Sequence, residues 1–386
     1  MAWNRRAPEA IAAPEPLSTA RWLGAGLLMV AVGVVFFMLA AAGKVPVSGT
    51  LNIWMLSALP SLLCLLAFSA RAYRYGRALG RFQFLTDEAA EAGSAWNQWA
   101  QRNMAVLASC VVLPDQISAA ALAQGADSLP PRAGMARRIV SLPAEVGRLQ
   151  VGLDLLLKGV QPMLAGLTAE HPIQVTLLSD LAPEECQQLR SAWDGCCERL
   201  VPELATAVPR FVHALSPDWI EAALKKPGAH IDLILVLQVN GAEEYSDGLA
   251  ALLLCPDVLA DLEHLTVEAR LLRPMPLALE QLDQELPLFL QTQSQARSAT
   301  AILADGMHWK ASLASILSLN QLHDGELQAE CQWIQESLSG LPGPLSHWLA
   351  VALGADMARH RQRPLLLITR EGSQHWISTL TTGGSA

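Results

Sequence analysis

Charge is what this chain has least of. Only 16% of its 386 residues are Asp, Glu, Lys or Arg, where ordinary soluble domains carry about 25%. With 52% hydrophobic residues and a positive mean hydropathy of +0.28, intrinsic disorder is excluded. A balance of 27 basic against 36 acidic residues excludes the basic surface that nucleic acid requires. The seven cysteines (Cys64, Cys110, Cys186, Cys196, Cys197, Cys255 and Cys331) form no even, patterned set, so a disulfide-stapled fold is excluded. The chain also has no Cys-x-x-Cys, no P-loop, no Gly-x-Gly-x-x-Gly fingerprint and no Gly-x-Ser-x-Gly elbow, so the chemistries those motifs serve find no support.

Long apolar runs are present. Residues 22–42 contain no charge, and at 1.5 Å per residue they reach about 31 Å, the thickness of a hydrocarbon core. A second uncharged run covers 51–70; its Pro60 is a break that a membrane helix tolerates. The connector 43–50 is rich in Gly, Pro and Ser, so two antiparallel spans are expected. A secretory signal peptide is the competing reading, but its apolar region runs about 7–15 residues, shorter than this one, and here a second span comes after it. Arg5, Arg6 and Arg21 precede the first span, and Arg71, Arg74, Arg77 and Arg81 follow the second, while the connector has only Lys44. The positive-inside rule then places both termini in the cytoplasm. The spacing of Arg71, Arg74, Arg77 and Arg81 puts them on one helix face, suited to anionic headgroups.

Residues 1–81 hold eight basic and two acidic residues, and the remainder 19 basic and 34 acidic. The acidic remainder is long enough for one large or two ordinary domains. After a helical linker over 82–103, apolar runs bounded by turn signals predict strands at 104–112, 173–179, 210–215, 231–239 and 249–254. Helices are predicted at 183–200 and 217–226. A second set begins after Pro256: strands at 264–273 and 299–304, helices at 276–292, 309–320, 326–339 and 344–360, and a closing hairpin of 365–369 with 375–380. The expected fold class is α/β, a mostly parallel sheet with helices on its faces. It divides into a first half over 104–255 and a second over 256–386.

Two segments carry a family resemblance. Tyr245-Ser246-Asp247-Gly248-Leu249-Ala250-Ala251-Leu252-Leu253-Leu254 resembles the Ser-Asp/Glu-Gly-Ala-Ala-Ala-Leu strand of ketoacyl synthases and other thiolase-fold proteins. The run 343–369, a small-residue helix followed by a Pro-led apolar strand, is similar to that family's closing elements. The resemblance implies two pseudo-repeated α/β halves. It also implies, for an enzyme, a nucleophilic Cys on a Gly-rich strand-to-helix turn and two basic residues, usually His, at the thioester oxyanion. Here Cys110 is followed by Val111-Val112 and Cys255 by Pro256, and no His stands in a Gly-Thr-Gly-Thr-like loop. The resemblance therefore implies a non-catalytic relative. Membrane-anchored, degenerate thiolase-like proteins of this kind occur as adaptors beside bacterial type VI secretion effectors.

The candidate site residues are polar groups at strand ends. Asp180 closes one apolar run and Asn240 another, and with Glu243, Glu244 and Asp247 they outline an acidic crevice where open α/β sheets bind ligands. The competing reading is that Asp and Asn cap the helices next in the chain. Asp305 and His308 form the one compact polar cluster with a histidine, either an acid–base pair or a turn with a capping Asp. Cys186, Cys196 and Cys197 share a predicted helix but lack ligand spacing for a metal. Eleven Trp against three Tyr fit interfacial anchors at Trp22 and Trp54 and, elsewhere, core positions or partner-binding anchors.

The expectation is a non-enzymatic scaffold in a bacterial inner membrane, binding a protein partner (a secreted effector in the type VI setting) and, through the hairpin, lipid. No nucleic acid, cofactor or metal is expected. The alternative is a thiolase-like enzyme acting on an acyl thioester or lipid at the membrane.

Overall fold

The computed structural model describes residues 3, 12–44, 52–123, 132–144, 146–167 and 171–384, in two compact units, 1–96 and 97–386. In the first, helix α1 (Thr19–Ala41) lies against helix α2 (Ile53–Gln101). Each has a stretch long and apolar enough to cross a membrane by length and composition. Trp22 meets Phe68 and Phe37 meets Trp54 at ring-centroid distances of 5.4 and 4.6 Å. Gly33 is used for close approach, since a Cβ there would strike the carbonyl of Ser57. The helix expected over 82–103 is the continuation of the second apolar helix, with Pro60 inside it. The turn expected at 43–50 lies outside the described residues beyond Lys44, as do Arg5 and Arg6.

The second unit is built on one eleven-stranded sheet. Its first five strands are β1 (Asn103–Val112), β2 (Ile173–Ser179), β3 (Arg210–Val212), β4 (Ile231–Gln238) and β5 (Gly248–Pro256). Helices α3 (Ala119–Ala123), α4 (Arg148–Leu167), α5 (Cys186–Leu200) and α6 (Asp218–Lys225) intervene. After α7 (Asp257–Leu262) come β6 (Ala269–Leu272), β7 (Met275–Leu277), α8 (Leu282–Thr292), α9 (Ser294–Arg297) and β8 (Ala301–Ala304). The chain ends with α10 (Lys310–Leu322), β9 (Gln332–Ile334), α11 (Gln335–Ser339), α12 (Ser346–Arg361), β10 (Leu365–Glu371) and β11 (Gln374–Thr382).

The sheet contains the same arrangement twice. One side reads β3-β2-β4-β5-β1 and the other, in mirrored order, β9-β8-β10-β11-β6. Pairing directions repeat too. β2 is parallel to β3 and β4, as β8 is to β9 and β10. β5 is antiparallel to β4 and β1, as β11 is to β10 and β6. The two arrangements join where β1 pairs antiparallel with β6. The sheet is therefore mixed rather than mostly parallel: β4 and β5, like β10 and β11, are linked by short connections that reverse the chain.

Several expected elements are redistributed. Of 264–273 only Ala269–Leu272 is strand, the start of the 276–292 helix is β7, and β9 occupies part of the predicted 326–339 helix. The closing hairpin forms with Gly372 at φ +57° in its turn, a backbone angle that Gly adopts without cost. Helix α4 falls in a stretch where no element was expected.

Strand β4 shows why the sheet is covered on both faces. Ile231, Leu233, Leu235 and Leu237 enter one core cluster with α4 and α5, while Ile234 and Val236 enter another with α12. Alternate side chains point to opposite faces, and a strand buried on both reads as a continuous apolar run. Helix α12 is buried on nearly every side, which accounts for its mix of Ala, Gly, Leu and Trp without an amphipathic stripe.

The end of α2 is fixed into this unit by buried polar groups. Arg273, 1% exposed, donates from Nε to the Trp99 carbonyl (2.9 Å), stacks 4.3 Å from the Trp99 ring and pairs with Glu221. Gln293 Nε2 donates to the carbonyls of Ala100 and Arg273 at 3.0 and 2.7 Å, and its Oε1 accepts from Thr379. Arg102 binds both carboxylate oxygens of Asp257. A cation at a helix C-terminus is favourably placed against exposed carbonyls and the macrodipole. Burial, then Arg102, pushes the Arg273 pKa down to about 10, so it stays charged at neutral pH. Replacing Arg273 by Leu removes one charge partner of Glu221, which keeps Lys225, and the side-chain donor to the Trp99 carbonyl, which keeps the N–H of Arg102, a loss of about 1–3 kcal/mol for charge-assisted hydrogen bonds. A marked drop in the thermal unfolding midpoint, with a smaller drop for Glu221→Gln, is the expected result.

Candidate functional site

The five crevice residues do not form one acidic cluster. Asp180 comes directly after β2, and its Oδ2 accepts the backbone N–H of Asn240 (2.7 Å) and the hydroxyl of Tyr245 (3.1 Å). It thus braces the ends of the parallel pair β2–β4, and burial raises its pKa despite these hydrogen bonds. Asn240, Glu243 and Glu244 are exposed on the connecting loop, where Ala242 takes a left-handed φ of +44°.

Asp247 lies deeper, with no side-chain exposure. Arg138 and Arg148 each donate to it at 2.6 Å and the N–H of Ile139 at 3.0 Å. Next to it, Ser246 Oγ accepts from the N–H of Arg137, and the Ser246 carbonyl accepts from Gln238 Nε2. The Gln238 Oε1 in turn accepts the N–H of Leu345 ahead of α12. The Ser-Asp-Gly segment is therefore a junction tying the loop before α4, strand β5 and the start of α12.

Asp305 occupies in the second arrangement the place of Asp180 in the first. The N–H of Asp180 faces the Leu237 carbonyl of β4, and that of Asp305 the Ile368 carbonyl of β10. Asp305 accepts the N–H of Arg370 (2.8 Å) and the indole N–H of Trp309 (2.9 Å). His308 Nε2 stands 3.6 Å from it, and His375 packs on Trp309 at 5.0 Å between ring centroids. Burial pushes Asp305 up to about 6. Burial, with Arg370 and His375 nearby, pushes His308 down to about 4. The pair at neutral pH is thus a carboxylate beside a neutral imidazole, its oxygens already holding structural donors.

The N-termini of α6 and α12 meet. His347 Nε2 and Trp348 Nε1 contact the Leu215 carbonyl at 3.0 and 2.7 Å, and Trp219 of α6 packs edge-on against Trp348. His347 is 2% exposed, its Nδ1 lacks a hydrogen-bond partner among the described residues, and burial lowers its pKa. No cysteine is part of this set. Cys110 is pushed up to about 11, and Cys196, Cys197 and Cys255 to about 12, in each case chiefly by burial. These are protonated thiols, whereas nucleophilic or metal-bound cysteine must be thiolate. Among the described residues no group of three or more His, Cys, Asp or Glu could hold a metal ion. Arg71, Arg74, Arg77 and Arg81 are all exposed on α2.

Arg138, Arg148, His347 and His375 were not among the residues that the sequence pointed to, and the Arg137-Arg138 doublet is the one local signal for any of these four; Trp219 is one of the tryptophans read as core positions or partner-binding anchors.

The chain matches no protein-family model and no curated protein. Among solved structures it resembles the ketosynthase from module 1 of the bacillaene synthase of Bacillus amyloliquefaciens FZB42, at 12% identity and TM-score 0.49, over 75% of this chain and 74% of that one. It also resembles an oxazolomycin ketosynthase domain of Streptomyces albus JA3453 (12%, TM-score 0.48, 73% and 95% covered). A third is the 3-oxoacyl-[acyl-carrier-protein] synthase III of Aquifex aeolicus VF5 (11%, TM-score 0.43, 72% and 99% covered). They lie in the group that the 245–254 segment resembles. Likenesses of this strength assign no activity, substrate or residue role.

Asp305 and His308 pull stability in opposite directions with pH. Asp305, raised above its ordinary 3.8, contributes stability that is present below that value and lost as pH rises through about 6. His308, lowered from 6.5, contributes stability that is present above 6.5 and lost as pH falls through about 4. Thermal unfolding between pH 6.5 and 4 is expected to show these slopes separately. On acidification Asp305→Asn should lose stability more steeply than the wild type, and His308→Gln less steeply.

Proposed function

We propose that this chain is a non-enzymatic scaffold, held in a bacterial inner membrane by the α1–α2 hairpin with both termini cytoplasmic. Its acidic α/β unit binds a protein partner, and loading of type VI secretion effectors is the setting proposed for it. The observation that carries this reading is the state of the thiols. Cys110 on β1, Cys196 and Cys197 on α5 and Cys255 on β5 are buried or half-buried and held protonated, so none of these four is poised to accept an acyl group. Trp219, Trp348 and His347 pack around the Leu215 carbonyl where the two helix N-termini meet. The arginine face after the second span and the uncharged hairpin support the membrane placement.

The second reading is an acyl-thioester or lipid enzyme. The ketosynthases and the synthase that the fold resembles lie on its side, and none of them is an adaptor by name. Within this chain it would rest on Asp305 and His308 as the acid–base pair. Two experiments separate the readings. Affinity capture of the full chain in mild detergent should retain one stoichiometric protein partner under the first reading. Treatment of the native chain with an acyl-thioester-mimicking electrophile should leave Cys110, Cys196, Cys197 and Cys255 unlabelled until the protein unfolds. Rapid labelling of one of these four in the native chain, with no retained partner, would favour the enzyme.

A further inference from the structure

The loop before α4 and the loop after β4 enclose a cavity of about 550 Å³, lined by Arg138, Val140, Leu142, Arg148, Val239 and Ala242 among others. It opens beside the carboxyl end of β4, the edge of a parallel pair where α/β sheets take ligands. Its polar wall is cationic. Asp247 is the acid that both arginines share, and its oxygens are engaged by Arg138, Arg148 and the N–H of Ile139. Two guanidiniums against one carboxylate leave a surplus of one positive charge. Arg148 spends NH1 on the Pro143 carbonyl and NH2 on Asp247, and its buried Nε has no hydrogen-bond partner among the described residues. Among the described residues Arg138 spends only NH1, on Asp247, and its side chain is 40% exposed. Apart from Asn240 the rest of the lining is aliphatic, with Val140, Leu142 and Val239 among it, and Val140 is 88% exposed.

We infer that this cavity binds a carboxylate bearing an apolar substituent, the carboxylate on the Arg138 guanidinium and the substituent against Val140, Leu142 and Val239. A planar guanidinium with free donors matches a carboxylate in geometry. A surplus of one charge matches a monoanion, and Glu243 and Glu244 on the adjoining loop, together with Asp180 behind Tyr245, disfavour a more highly charged phosphate. The volume lies in the range of small-molecule sites. Two sources share this chemistry: a short acyl carboxylate and the C-terminal residue of a peptide. The inference is independent of whether the chain is a scaffold or an enzyme.

The test is ligand-observed NMR titration of the full chain in detergent with four water-soluble probes: hexanoate, N-acetyl-leucine, 1-hexanol and inorganic phosphate. Saturable binding of hexanoate or N-acetyl-leucine is expected, with the tighter of the two identifying the source, and 1-hexanol should bind at least about tenfold more weakly. Arg138→Gln should weaken the carboxylate probe by about tenfold or more, while Arg148 and Ile139 keep Asp247 paired. Val140→Asp, a change at an exposed rim position, should weaken it similarly by repulsion. The inference is overturned if neither carboxylate saturates, if 1-hexanol binds as well as hexanoate, if phosphate binds more tightly than both carboxylates, or if both variants bind like the wild type.

Discussion

The pairing of β1 with β6 is the contact on which the rest of the molecule depends. β1 is antiparallel to β5 on one side and to β6 on the other, so it closes one five-stranded arrangement and joins it to the next. Without it the two arrangements would each expose an unpaired strand edge, a template for unwanted association. The same strand comes directly after α2, whose last turn is held by Arg273 and Gln293. Helix α12 then packs under β1, β5, β6, β10 and β11, spanning both arrangements, and its burial on nearly all sides is a consequence of that position.

The buried acids serve this architecture. Asp180 and Asp305 follow equivalent strands, and each holds a backbone N–H on the neighbouring strand's side, that of Asn240 just past β4 or that of Arg370 near the end of β10, with an aromatic donor, Tyr245 or Trp309. Asp247 anchors the loop before α4 beside the pairs that Arg132 and Arg137 make with Asp115, and it leaves two arginines facing a cavity. The repetition argues that an aspartate directly after β2 and again after β8 is a structural device, because the low dielectric of the interior rewards a carboxylate only where several donors meet it.

How much of this was legible in the sequence differs by element. The run Ile173–Ser179 and the hairpin of β10 and β11 could be read because a short, β-branched, largely apolar run bounded by turn residues fits a strand better than a helix. Helix α4 escaped notice because Gly152, Gly159 and Pro162 interrupt its pattern. Gly159 is required there, since a Cβ would strike the Cys110 sulfur. Strand β9 is three residues long and directly precedes α11, so its flanks read as helix. The mixed strand order was hidden for a different reason: pairing direction depends on which strands become neighbours, and local periodicity does not encode that. At the candidate site, the residue types at 180, 240, 247 and 305 could be found, but not their partners. Asp247 meets arginines 99 and 109 positions away, and no spacing rule reaches that far.

Native-state hydrogen exchange of the full chain in detergent, read peptide by peptide, tests most directly whether β1 makes one cooperative body of the two arrangements. Amides of β1, β5, β6 and β11 are expected to exchange together, in one slow class that opens only with global unfolding. Exchange in two separate classes, one for each side of the β1–β6 pair and with β1 among the faster amides, would contradict it.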